Sequence, residues 1–259
     1  MKKECEVYLL VTFGFSWLLW LPLLINHVWH ARLPVLDYQF FMASFGPLLG
    51  ATAAQWYKGG YSGTRNWLAQ CWRVKVGLAV YIWVLTLLAA FAILAVILIL
   101  ILKGQLPYWR QWGITQKLPG LNAWQVALVW MLTFGLGEET GWRGWLLPQL
   151  QHRFTLRTSI LLVAAIWMLW HLPAFFFNEN YLAMGWGVIG WAISLAYGSV
   201  VLSWLYIKSR YSIIPVVVWH GGFDLLTAGD YVDPLVPAVC STLVILQGII
   251  IFRWVVNKQ

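Results

Sequence analysis

Charge is what this chain most lacks. Of its 259 residues only 10% are Asp, Glu, Lys or Arg while 61% are hydrophobic, against the roughly 25% charged composition of soluble domains. A water-soluble fold is excluded on that ground, and a mean hydropathy of +0.71 agrees. Cysteine is also sparse: Cys5, Cys71 and Cys240 are odd in number, far apart and without a Cys-x-x-Cys pair. Neither a disulfide framework nor a thiolate zinc site is indicated, and the three read as packing residues. Acids are outnumbered 9 to 17 by Lys and Arg, for a net charge of +8. No soluble basic face exists to carry that excess to a nucleic acid, whose binding depends on phosphate neutralisation. Positive loops are instead what a membrane topology demands. There is no evident linker, low-complexity tract or internal repeat, so residues 1–259 read as one integral membrane domain.

What fills the chain is apolar runs of about 20 residues, each able to cross a hydrocarbon core of ~30 Å. Spans are expected at about 7–29, 38–57, 78–102, 122–150, 158–177, 186–207, 212–228 and 235–254, bounded by charge, Pro or Gly clusters. The fold class is therefore all-α: a polytopic membrane bundle of about eight transmembrane helices. The first run follows the charged opening MKKE and has no Ala-x-Ala type cleavage site, so it is expected to be retained as a span. With the N-terminus inside, inner segments hold about 12 of the 17 Lys and Arg, which sets both termini on the cytoplasmic side. Trp29, Trp56, Trp109 and Trp112 read as interfacial anchors. Residues 63–76, with Trp67, Leu68, Cys71, Trp72 and Val76 at helical spacing, form either an amphipathic helix on the inner leaflet or a plain loop.

With loops set aside, the ionisable residues left inside spans are Glu138, Glu139, Arg143, His171, His220 and Asp224. A charge at bilayer depth costs about 2.5–3.5 kcal/mol even on lenient scales, so such residues are rare and functional by default. At ~1.5 Å of rise per residue, Glu138, His171, His220 and Asp224 lie about 12–20 Å from the inner ends of their spans, near one midplane level. Glu139 and Arg143 are four apart and share a helical face, so they can pair while Glu138 points about 100° away. His220 and Asp224 are also four apart, so an imidazole and a carboxylate can address one centre.

Two chemistries follow. His171, His220 and Asp224 could hold one divalent metal, zinc, with a carboxylate taking the proton of its water. Without metal, Glu138 could act as general base while the histidines stabilise an oxyanion. Both lead to hydrolysis of an acyl or peptide bond. Gly135, Gly137, Gly141, Gly144, Gly221 and Gly222 allow close helix packing or a locally broken helix. The plain structural readings are a buried Glu139–Arg143 ion pair, an inert His220–Asp224 pair, Trp167 as ordinary packing, and Pro148 and Pro173 as kinks.

At these residues the sequence resembles the CAAX-protease and bacteriocin-processing family of intramembrane endopeptidases, which includes the Ras-converting CAAX endopeptidase and the abortive-infection proteins. The family pattern is Glu-Glu-x-x-x-Arg, then an aromatic-x-x-x-His, then His-x-x-x-Asn or Asp. Here EETGWR (138–143), WMLWH (167–171) and HGGFD (220–224) stand in that order on separate spans within about 122–228. The resemblance implies that Glu138 activates water, that Glu139 with Arg143 shapes the site, and that His171, His220 and Asp224 hold metal or the oxyanion. It also implies membrane lipids and a membrane-associated or lipidated protein or peptide as partners, in the plasma membrane of a bacterium. Two residues depart from the pattern: Trp167 where Phe is usual, and Asp224 where prenyl-protein enzymes have Asn. The alternative is a non-catalytic immunity or sensor-binding membrane factor that keeps the motifs for stability. A proton- or cation-coupled transporter is a further rival.

Overall fold

The computed structural model describes residues 3–108 and 112–256, so the expected anchor Trp109 lies outside the described residues. Among these the chain is helical, with no strand. We label eight helical segments: α1 (Lys3–Trp29), α2 (Gly46–Cys71), α3 (Leu78–Lys103), α4 (123–151), α5 (Leu156–Trp170), α6 (Gly187–Lys208), α7 (Ile214–Thr227) and α8 (Leu235–Val256). Each overlaps one of the eight expected spans, α2 least closely, since it begins at Gly46 and continues to Cys71 where the expected span is 38–57. Among the described residues five helices are long and apolar enough to cross a membrane: Lys3–Trp29, Leu78–Lys103, Leu156–Phe176, Gly187–Lys208 and Leu235–Trp254. α7, at 14 residues, is about 21 Å long.

α3 shows how the lipid-facing surface is made. Val84, Leu88, Phe91, Ala95 and Ile99, three to four residues apart, form its buried stripe, while Leu78, Ile82, Leu85, Ile93, Leu94, Ile97 and Ile101 are exposed. An apolar exposed face of this kind is stable only against acyl chains. α1 makes its contact differently. Its buried Tyr8, Thr12, Ser16 and Trp20 recur every four residues, and Gly46 and Gly50 of α2 come so close that a Cβ would lie 2.7 Å from the Thr12 and Tyr8 carbonyl oxygens respectively. Small residues replace side-chain packing by backbone proximity, the usual means of joining helices where lipid provides no hydrophobic drive.

α2 turns at Gly60, whose φ of 58° lies in the left-handed region. Beyond that turn the chain stays helical to Cys71 but does not lie apart on a leaflet. Trp67 Nε1 donates to the Gly144 carbonyl at 2.9 Å and Trp72 Nε1 to Thr140 Oγ1 at 3.1 Å. The Cys71 carbonyl accepts from the Ile213 amide. The segment is thus docked on α4 and α7. Its aromatic stripe, legible as amphipathic, is answered by protein. Cys71 and Cys240 are buried, as packing residues should be.

α4 is the element that carries the acids. Asn122 caps it, accepting from the Trp124 and Gln125 amides at 3.1 Å, with Gln125 Oε1 accepting in return from the Asn122 amide. The segment then widens into π-helical turns at Met131–Glu138 and again at Trp142–Leu146, with α-helical Glu139–Gly141 between them. Wide turns of this kind are uncommon and recur at functional sites. Pro148 lies in the first turn of α-helical Leu147–Gln151 after the second wide stretch. Pro173 opens the 3₁₀ turn Leu172–Phe176 that ends the fifth span, so neither proline sits in a regular helix interior. At Gly141 a Cβ would meet the Pro47 Cβ and carbonyl oxygen at 2.4 Å, and at Gly221 it would meet Met131 Cα at 2.8 Å. The glycines therefore permit both expected features at once, close helix approach and a locally altered helix.

Candidate active site

Three helices converge on the six ionisable residues, and they do so in two layers. The deeper layer is an ion pair: Arg143 Nη1 donates to Glu139 Oε1 at 2.8 Å, with both side chains fully inaccessible. The i,i+4 spacing read from the sequence produces this pair. The same Oε1 accepts from His220 Nδ1 at 2.8 Å, tying α7 to α4. Burying a guanidinium and a carboxylate costs several kcal/mol per ion, offset here by their close mutual contact and by the second donor, His220, on the carboxylate oxygen.

The forward layer faces space. Glu138, His171, His220 and Asp224 line a cavity of about 990 Å³ that neither Glu139 nor Arg143 reaches. His220 Nε2 stands 3.7 Å from Asp224 Oδ2, an ion-pair distance longer than a hydrogen bond. His220 thus belongs to both layers, with one nitrogen bound to the buried acid and the other directed at the forward one. The rest of the cavity wall mixes aromatic rings, among them Phe134, Trp170, Tyr181 and Trp191, with aliphatic, small and hydroxyl side chains, and extends to Thr115, Lys117, Asn178 and Asp230 of the connecting segments.

Trp167 is the residue that sequence reasoning undervalued. Its indole Nε1–H donates to Glu138 Oε2 at 2.7 Å. Its ring lies 4.5 Å from the Arg143 guanidinium carbon and meets the His220 ring edge-on at 5.5 Å. Its carbonyl accepts from His171 Nδ1 at 2.7 Å, since a carbonyl can only accept. One residue therefore orients the free acid, covers the buried cation and sets the tautomer of the histidine one turn on. The available signal was its i,i−4 position before His171, which placed it on the same helical face. Replacing Trp167 by Phe keeps the ring and the carbonyl but removes the N–H. A hydrogen bond to a charged group contributes about 1.5–3 kcal/mol, so any turnover that depends on Glu138 should fall roughly 10- to 100-fold in Trp167→Phe at similar KM. Unchanged kcat would show that the indole does not position Glu138.

The expected metal site fares differently. Among the described residues no group of three or more His, Cys, Asp and Glu side chains is placed to hold a metal ion. His171 and His220 have each committed Nδ1, and Asp224 stands 3.7 Å from the remaining nitrogen of His220. Both hydrogen bonds are on Nδ1 and leave Nε2 of each histidine available, the arrangement in which an imidazole ligates a metal through its other nitrogen.

Comparison with known proteins falls on this same stretch. Residues 120–226 match the family model described as type II CAAX prenyl endopeptidase Rce1-like, and that stretch includes all six ionisable residues. The CAAX prenyl protease 2 of Methanococcus maripaludis is 32% identical over 88 residues, covering 32% of this chain and 32% of the relative. The chain thus matches about a third of the length of that curated relative. The likeness noticed in the three motifs is a family likeness of the motif-bearing segment; the first three helices lie outside it.

Proposed function

We propose that this chain is an intramembrane endopeptidase that hydrolyses a peptide bond in a membrane-associated protein or peptide, with CAAX-type processing as the nearest known form. The observation that carries the reading is Glu138: one carboxylate oxygen is held by Trp167 while the residue shares a cavity wall with His171, His220 and Asp224. In this mechanism Glu138 takes a proton from water, whose oxygen bonds to the scissile carbonyl carbon. Negative charge then builds on the carbonyl oxygen, opposite His220, which in its protonated form donates from Nε2 while Nδ1–H stays on Glu139. Collapse of that intermediate breaks the C–N bond, and the proton held by Glu138 passes to the leaving amine. Glu139 and Arg143 stay out of the reaction path and hold His220 in place. No metal step is needed for this sequence. The CAAX likeness makes a lipidated substrate the first to try.

The experiment is product analysis with purified, reconstituted protein and membrane-anchored peptides, prenylated and not, before and after strict chelation with metal analysis of the sample. Cleavage that persists in metal-free protein is the expected result. Loss on chelation with recovery on zinc would replace the side-chain mechanism by a metal one. A Glu138→Gln, His171→Ala double variant that still complements a deletion strain would instead favour a non-catalytic factor.

The excess of Lys and Arg at one end of the bundle supports termini on the cytoplasmic side, which would put the cavity's connecting segments, with exposed Glu179 beside them, on the outer side. A membrane-impermeant maleimide should then label Glu179→Cys in intact cells and Arg153→Cys only after permeabilisation. The opposite pattern would invert the topology.

A further inference from the structure

Far from the acid cluster in sequence, the cavity wall contains a lysine that the reaction scheme does not use. Lys117 lies between α3 and α4, half-buried, in a segment that is held on both sides. Its neighbour Leu118 is buried with Phe41, Val126 and Trp130. Two residues back, Thr115 Oγ1 donates to Asp230 Oδ2 at 3.0 Å, and the Gln116 amide donates to the same oxygen at 2.6 Å. The lysine is thus fixed in position, pointing inward.

Its surroundings are those of a cation short of an anion. Lys117 Nζ donates to Oδ1 of buried Asn178 at 3.1 Å and lies 5.7 Å from the Phe40 ring centroid. Among the described residues no carboxylate oxygen is within ion-pair distance of it. Asp230 is turned to Thr115 and Gln116, and Glu179 is exposed beyond the site. Burial accordingly pushes the Lys117 ammonium below the usual lysine range, with Asp230 and Glu179 opposing the shift from a distance. An ammonium has three donors, and Asn178 takes one. Partly desolvated charge without a counter-charge is costly, and the cost is relieved by any anion that reaches the cavity.

We propose that Lys117 is a substrate-binding residue whose ammonium, steadied by Asn178, takes a carboxylate of the peptide whose scissile bond lies at Glu138. The proposal rests on the endopeptidase reading for the scissile bond, but the carboxylate subsite stands or falls by binding alone. The carboxylate has two sources in a peptide, the free C-terminus and an acidic side chain. In the first case the enzyme measures the distance from the cut to the chain end, because one cavity holds both groups. The aromatic and aliphatic side chains that line the same cavity favour apolar residues.

The test uses the full chain in zwitterionic vesicles, with indole fluorescence reporting the binding of three aliphatic tetrapeptides: a free acid, its C-terminal amide, and the amide with one internal Glu. Cleavage products are assayed in the same samples. The expected result is that the free acid binds at least tenfold more tightly than the amide. Lys117→Gln should abolish that preference and Lys117→Arg retain most of it. Comparable binding of the internal-Glu amide assigns the subsite to an acidic side chain, and binding as weak as the plain amide assigns it to the terminus. Equal binding of all three peptides, or a preference for a carboxylate-bearing peptide that survives in Lys117→Gln, overturns the proposal. So does a preference that vanishes on adding phosphatidylglycerol, which would make Lys117 a headgroup contact. Acid-selective binding with no cleavage of any peptide keeps the subsite and removes the endopeptidase reading instead.

Discussion

Glu138→Gln should reduce hydrolysis by about 10²–10⁴-fold, the usual contribution of a positioned general base, without disturbing the fold. The substitution is unusually clean because the amide oxygen of Gln can still accept the Trp167 indole N–H that Glu138 Oε2 accepts at 2.7 Å. Volume, packing and the one visible hydrogen bond are retained. Only the ability to take a proton is lost. Thermal unfolding in detergent should therefore coincide with the unsubstituted protein while product formation collapses in kcat. Glu138→Asp is the companion measurement: it keeps the base but withdraws it by about 1 Å, a misplacement that can cost about 10²-fold. A Glu138→Gln protein that cleaves a genuine substrate at the normal rate would remove Glu138 as base.

Arg143→Met should be the most destabilising single change in the site, by about 3–5 kcal/mol, because removing one partner of a buried pair strands the other. Glu139 would retain only His220 at 2.8 Å in a place where neither original side chain is accessible. Among the described residues Arg143 Nε and Nη2 have no hydrogen-bond partner, so the guanidinium is held by one carboxylate contact and the Trp167 ring. The informative comparison is the double variant Arg143→Met, Glu139→Leu. With both charges gone it should melt above the single Arg143→Met variant, since apolar replacement of a whole buried pair is often neutral or favourable. It should nevertheless be inactive, because His220 loses the acceptor of its Nδ1. A single variant whose stability stays within about 1 kcal/mol of the parent would mean that the pair is not buried as described.

Much of this arrangement could be read before any coordinates, for identifiable reasons. Charge is so expensive at bilayer depth that six ionisable residues in three spans had few innocent explanations, and helical spacing alone paired Glu139 with Arg143 while turning Glu138 elsewhere. Eight helices followed from apolar run length. What stayed hidden depends on contacts between distant segments. Trp167 looked like packing because an indole gives no sign in sequence of which acceptor it will reach. The destination of residues 63–76 was undetermined because an aromatic stripe packs equally well on lipid and on protein. The π-helical stretches depend on hydrogen bonds shifted by one residue, which composition does not encode. The metal expectation came from residue types, and types do not reveal which ring nitrogen of each histidine is held by a neighbour and which is left facing the cavity.

The contact at Gly141 has a mechanical consequence. There the main chain of α4 rests directly on Pro47 of α2, with no compressible layer of side chains between the two. Soft interfaces yield by degrees when the surrounding solvent swells or thins, but two rods in hard contact keep their spacing or come apart. Glu138 and Glu139, three and two residues away, hang from that bearing. Their depth below the headgroups is consequently set by the protein's own frame, and a change of lipid thickness should leave the geometry of the acids intact until the bearing opens altogether.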